Sequence, residues 1–110
     1  MHPATTVDFA AAARALTREA RRLQLVGPGF RCPPRLVGVD RSIRRRAGGP
    51  VVSVRLRGRP WVAVVADMIE GVIVANDLVP PHADRVRAAL WSAVGVVPAA
   101  DVERPADRVA

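Results

Sequence analysis

The chain has 110 residues, of which 50% are hydrophobic, and this suits a single domain with one modest core rather than a disordered chain. All 17 basic residues are arginine, they outnumber ten acids, and the net charge at pH 7 is +7. The absence of lysine excludes Schiff-base chemistry and a P-loop, and the only cysteine, Cys32, has no partner for a disulfide within the chain.

The charge is unevenly distributed along the chain. Residues 14–59 contain 13 arginines and two acids, whereas residues 60–110 contain four arginines and seven acids. The first segment therefore has the charge to contact a polyanion, and the second can pack or face water. The N-terminal residues lack the basic region and apolar run expected of a secretory signal, and three acids interrupt the longest apolar stretch. We therefore expect a cytoplasmic protein that does not enter a membrane.

Residues 6–25 are predicted to form the first helix. Thr5 or Thr6 can cap its N-terminus, and Asp8 favours the positive end of the helix dipole. The apolar positions recur at steps of three and four and form one stripe, which consists of Phe9, Ala13, Leu16, Ala20 and Leu23. Four arginines lie on the opposite face: Arg14, Arg18, Arg21 and Arg22. This pattern fits either a solvated face or a helix that contacts phosphates.

Residues 26–49 are predicted to be irregular. Two glycines and three prolines in residues 26–35 favour an extended, turned loop. Four arginines follow within six positions, at Arg41, Arg44, Arg45 and Arg46. They repel one another unless an anion lies across them, so we expect them in an exposed loop or in a single helical turn capped by Asp40.

Residues 51–57 and 61–66 are predicted to pair as an antiparallel hairpin. The first segment alternates apolar and polar residues at its C-terminal end, and the second is continuously apolar. A three-residue loop, residues 58–60, connects them, because Pro60 lacks the N–H that a two-residue loop would need. This register places Leu56 opposite Val62 on the core face.

Residues 67–79 fit two different structures. Asp67 and Glu70 have the spacing of a capping box, whereas the run of residues 72–74 favours a third strand; we predict a short helix. Residues 82–94 are predicted to form another helix, which Gly95 ends. We expect a single domain over residues 1–97 and a mobile tail over residues 98–110.

Together these elements predict an α+β fold. It consists of an N-terminal helix, an Arg-rich loop, a β-hairpin, and two C-terminal helices packed on a small antiparallel sheet. The expected core contains Leu16, Leu23, Val54, Leu56, Val62, Val64, Val86 and Leu90. The exposed edge of the hairpin makes a homodimer plausible.

The sequence contains no pattern typical of a catalytic site or a metal site. His2, Cys32 and His82 are too scattered for metal ligands, and Asp67 with Glu70 fits a helix cap better than a catalytic pair. We therefore expect a non-catalytic protein without a cofactor that binds nucleic acid through the Arg-rich loop and the hairpin. The predicted contacts are Arg41, Arg44, Arg45, Arg46, Arg55, Arg57 and Arg59. The alternative is a protein-interaction module or accessory subunit that binds an acidic protein.

Overall fold

The computed structural model describes residues 7–25, 38–47 and 49–95 and has an α+β fold. The elements in chain order are helix α1 (Phe9–Arg22), strand β1 (Arg41–Arg46), strand β2 (Gly49–Val54), helix α2 (Trp61–Ala75) and helix α3 (His82–Val94). The two strands form an antiparallel sheet on which α2 packs. The predicted fold class is confirmed. The predicted loop at 26–35 and the predicted tail at 98–110 lie outside the described residues.

Helix α1 forms as the apolar stripe predicts. The Asp8 carboxylate caps it by accepting a hydrogen bond from the Ala11 N–H at 3.1 Å. Its buried residues are four alanines and Leu16, and Leu16 is fully buried. The helix ends where Gln24 adopts a left-handed conformation and the Leu25 N–H donates to the Ala20 carbonyl at 3.0 Å.

The hairpin lies at a different place from the predicted one. Residues 41–46, which were expected in a loop or a helical turn, form β1 and pair with β2; the predicted pairing of 51–57 with 61–66 is wrong. Strand β1 has a single apolar residue, Ile43, so alternation could not reveal it. Ile43 lies opposite Val52, and Arg41 lies opposite Val54.

The second predicted strand is the start of helix α2. A continuous apolar run fits a buried strand or a buried helix equally well, and here it continues to Ala75 as helix. The helix expected within 67–79 is therefore present, but Asp67 and Glu70 lie inside α2 rather than at its cap. Helix α3 has the predicted bounds, and Gly95 follows it as the C-cap.

Helix α2 is the centre of the core. It contacts both strands, α1 and α3, and its side chains Val64, Val65, Met68, Ile69 and Val72 are fully buried. Five predicted core residues are buried: Leu16, Val54, Val64, Val86 and Leu90. Leu23 and Leu56 are partly buried. Val62 was predicted to be buried but is 50% exposed, because it lies on the solvent side of a helix instead of on the core face of a strand.

Candidate functional site

Strand β1 concentrates exposed arginines. Arg41, Arg44, Arg45 and Arg46 are all exposed, and none of them forms an ion pair with an acid in residues 7–25, 38–47 or 49–95. Successive side chains of a strand point to opposite faces. Arg41 and Arg45 therefore share the face of Val52 and Val54, whereas Arg44 and Arg46 lie on the other face with Val51.

The edge of β1 that faces away from β2 also presents backbone groups. The Arg55 N–H donates to the Asp40 carbonyl at 3.1 Å, one position beyond the pair of Arg41 with Val54. Hydrogen-bonded pairs alternate with non-hydrogen-bonded pairs in an antiparallel ladder, so positions 42, 44 and 46 of β1 bond to β2. The N–H and C=O groups of Arg41, Ile43 and Arg45 point away from β2. Pro50, which has no N–H, lies opposite Arg45, as this alternation requires.

The local acid does not neutralise these arginines. Residues 38–59 contain seven arginines and one acid, Asp40. The Asp40 carboxylate accepts from the Arg55 side chain, with Oδ1 at 3.0 Å from Nη2 and at 3.2 Å from Nε. Arg55 therefore closes the base of the hairpin, and Asp40 binds Arg55 rather than an arginine of β1.

Arg59 points into the protein rather than outward. Its Nη2 lies 2.7 Å from Asp67 Oδ2, its side chain is only 12% exposed, and its Nη1 donates to the Arg55 carbonyl at 3.2 Å. These bonds direct the guanidinium to Asp67 and to the Arg55 carbonyl rather than to the exposed arginines of β1. Arg57 is exposed and has no ion pair with a described acid, so it can add to the charge of β1.

The two carboxylates of α2 are both bound to arginines. Asp67 binds Arg59, and Glu70 binds Arg87 of α3, which also donates to Asp84 at 2.9 Å. The hydrogen bond to Glu70 raises the pKa of the Arg87 guanidinium above its usual value. These contacts connect the β2–α2 loop and α3 to α2. Both carboxylates, Asp67 and Glu70, therefore have a structural role.

In residues 7–25, 38–47 and 49–95, no three His, Cys, Asp or Glu side chains group in a way that could hold a metal ion. None of the described helices has the length and apolar character needed to cross a membrane.

The sequence reveals the arginine cluster but predicts it in an exposed loop or a single helical turn rather than on a strand. The signal that could have placed it on a strand is the glycine pair at positions 48 and 49, which is typical of a tight turn between two strands. Comparisons of the chain with protein-family models, with curated proteins and with solved structures found no match. The chemistry of the arginine strand is therefore the basis for a functional proposal.

Proposed function

We propose that the protein binds nucleic acid through β1, with Arg41, Arg44, Arg45 and Arg46 as the phosphate contacts and Arg57 at the flank. The observation that carries this proposal is the presence of four exposed arginines on one six-residue strand, none of them paired with a described acid. Guanidinium groups stay charged and bind phosphate oxygens through two N–H groups at once.

The strand geometry suits a polyanion with regularly spaced charges. Arg44 and Arg46 are two residues apart on one face of an antiparallel strand, so their Cα atoms are separated by about 6.8 Å along the strand. Arg41 and Arg45 extend from the other face. Because α2 packs on the face of Val52, the opposite face and the exposed strand β1 are the surfaces that a duplex can approach, and the arginines there can contact its phosphates.

The site favours contacts to phosphates over contacts to bases. No aromatic residue occurs between positions 41 and 54, and the aromatics of the described helices, Phe9, Trp61 and Trp91, are partly buried against the core. Binding of single strands usually relies on aromatic side chains that stack on bases. We therefore propose a duplex as the preferred ligand, with little dependence on its sequence.

The test is fluorescence anisotropy of a labelled duplex and of the matching single strand at several salt concentrations. Four or five phosphate contacts predict a log–log slope of roughly −3.6 to −4.5, which lowers the affinity about 150- to 500-fold between about 50 and 200 mM salt. The triple variant Arg44→Ala, Arg45→Ala, Arg46→Ala should bind every duplex more weakly and flatten the slope by about 2.7.

A matched control separates the site from net charge. The variant Arg85→Ala, Arg104→Ala, Arg108→Ala loses the same three charges, but none of them belongs to the hairpin. We expect it to keep most of the wild-type slope. If both triple variants bind alike, the affinity reflects overall charge and β1 is not the site.

The outward backbone groups of β1 favour a second candidate, an extended segment of an acidic protein. Both N–H and C=O groups point outward at Arg41, Ile43 and Arg45, and an added strand can pair with both kinds in register. This candidate predicts no binding to either oligonucleotide even at low salt. It also predicts that a labelled acidic peptide binds the wild type and not the Arg44→Ala, Arg45→Ala, Arg46→Ala variant.

A further inference from the structure

We propose that α1 carries a second basic surface that binds a separate duplex, so that one molecule bridges two duplexes. This inference rests on the proposed function of β1 and extends it. The α1 surface consists of Arg14 and Arg18, with Arg21 and Arg22 beside them, and all four are exposed.

Arg14 and Arg18 carry the charge of this surface that no described acid neutralises. They are four residues apart on one helix, so they lie one above the other at a separation of about 6 Å along the axis. Neither forms an ion pair with the acids of residues 7–25, 38–47 and 49–95. The only acid of α1, Glu19, is bound to Arg22, and this hydrogen bond lowers the pKa of the Glu19 carboxyl. Glu19 therefore does not neutralise Arg14 or Arg18.

The two basic surfaces belong to elements that do not contact each other. Helix α1 contacts α2 and α3 but neither strand, and α2 contacts the sheet as well as α1. Helix α2 thus separates the arginines of α1 from those of β1. The arginines of α1 lie opposite its buried residues Ala12, Leu16 and Ala20, so they face away from α2 and α3.

Because a duplex is stiff, we expect the two basic surfaces to bind two separate duplexes rather than one bent duplex. Duplex DNA has a persistence length of about 150 base pairs, so a short straight segment cannot follow the surface from β1 around α2 to α1. Each surface then takes its own segment. A helix of 14 residues is about 21 Å long and can lie along a groove or across a phosphate backbone.

The experiment uses two short duplexes, one with a donor dye and one with an acceptor dye, mixed with the full chain. We expect energy transfer that rises with protein and falls again when protein is in excess, because each duplex then carries its own protein molecule. The variant Arg14→Ala, Arg18→Ala should lose this transfer. Its affinity for one duplex, measured by anisotropy, should stay within about threefold of wild type, because β1 is unchanged. Alanine also keeps the helix propensity of α1.

The outcomes separate this inference from the proposed function. Absence of binding by anisotropy would overturn the function of β1 and the bridging together. Salt-dependent binding without energy transfer, or equal transfer with the α1 variant, would overturn the bridging alone. The control Arg104→Ala, Arg108→Ala removes the same amount of charge and should keep the transfer. Light scattering measures whether the protein is a monomer under these conditions. Energy transfer produced by a protein dimer would also overturn bridging by a single chain.

Discussion

At the scale of single residues, Arg59 and Asp67 form the ion pair that connects the β2–α2 loop to α2. Their side chains are 12% and 23% exposed and 2.7 Å apart, so the bond is well shielded from water. We expect Arg59→Ala to lower the free energy of unfolding by about 1.5–3 kcal/mol, since it leaves a partly buried carboxylate without its donor. Urea denaturation measures this loss.

The neighbouring Arg57 is the matched control for Arg59. It is exposed and carries the same charge two positions earlier, so Arg57→Ala should change stability by no more than about 0.5 kcal/mol. Arg57→Ala should instead weaken binding of the duplex. The reverse pattern, with Arg57 needed for stability and Arg59 for binding, would contradict the assignment of these two side chains.

The sequence could not distinguish these arginines from one another. Arg55, Arg57 and Arg59 alternate along one short segment, and alternation alone predicts a shared exposed face. Their ion-pair partners place Arg55 and Arg59 in different environments from Arg57. Asp67 reaches Arg59 only because residues 61–75 are a helix, and Asp40 reaches Arg55 only because β1 pairs with β2.

At the scale of elements, the packing of α2 on β2 depends on Gly71. A Cβ added there would overlap Val52 Cγ1 and lie 3.2 Å from Cγ2 of the same side chain. Val52 is fully buried and β-branched, so it has little freedom to move away. We expect Gly71→Ala to destabilise the protein by about 1–3 kcal/mol by overpacking, despite the better helix propensity of alanine.

A double variant tests whether this contact is the cause. Val52→Ala alone leaves a cavity, but in combination with Gly71→Ala the new methyl group occupies part of that space. The double variant should therefore lose less stability than the sum of the losses of the two single variants. The difference, the coupling energy, should be at least about 0.5 kcal/mol in thermal or urea unfolding. Strict additivity would show that the cost of Gly71→Ala arises elsewhere.

The elements differ in how far the sequence predicts them. Helices α1 and α3 are predictable because each has an apolar stripe at helical spacing, and α3 also has a terminal glycine. Helix α2 is apolar on nearly every side because it is surrounded by the other elements, and such a segment has no periodicity to read. Strand β1 is hidden for the opposite reason, since five of its six residues are polar or charged.

At the scale of the whole molecule, the fold class could be predicted although the strand pairing could not. The apolar residues of segments 51–54 and 61–66 must be covered by helices, whether 61–66 is a strand or part of a helix. An α+β arrangement therefore follows from both assignments of residues 61–66. For the candidate site, the sequence predicts which arginines take part but not how they are arranged in space. The arginines of residues 41–46 were identified from charge, but their division between two faces follows only from the register of β1 with β2.

The position of β1 changes the expectation for the oligomeric state. A homodimer through the hairpin edge is plausible for an apolar edge, but β2 is almost entirely buried, so the exposed edge strand of this sheet is the arginine strand β1. Pairing β1 with β1 of a second copy would place the arginines of both strands about 5 Å apart, well within the screening length of about 10 Å at 0.1 M salt. Charged edge strands are a common means by which proteins avoid pairing of this kind.

We therefore expect a monomer of 11.8 kDa by light scattering at low salt without polyanion. The variant Arg44→Thr, Arg45→Thr, Arg46→Thr keeps the preference for a strand but removes the repulsion, so it should associate at protein concentrations at which the wild type stays monomeric. High salt should bring the wild type closer to this variant, because screening weakens the same repulsion. A stable wild-type dimer at low salt, unchanged by the threonine substitutions, would show that self-association uses another surface and that the β1 arginines do not keep the chains apart.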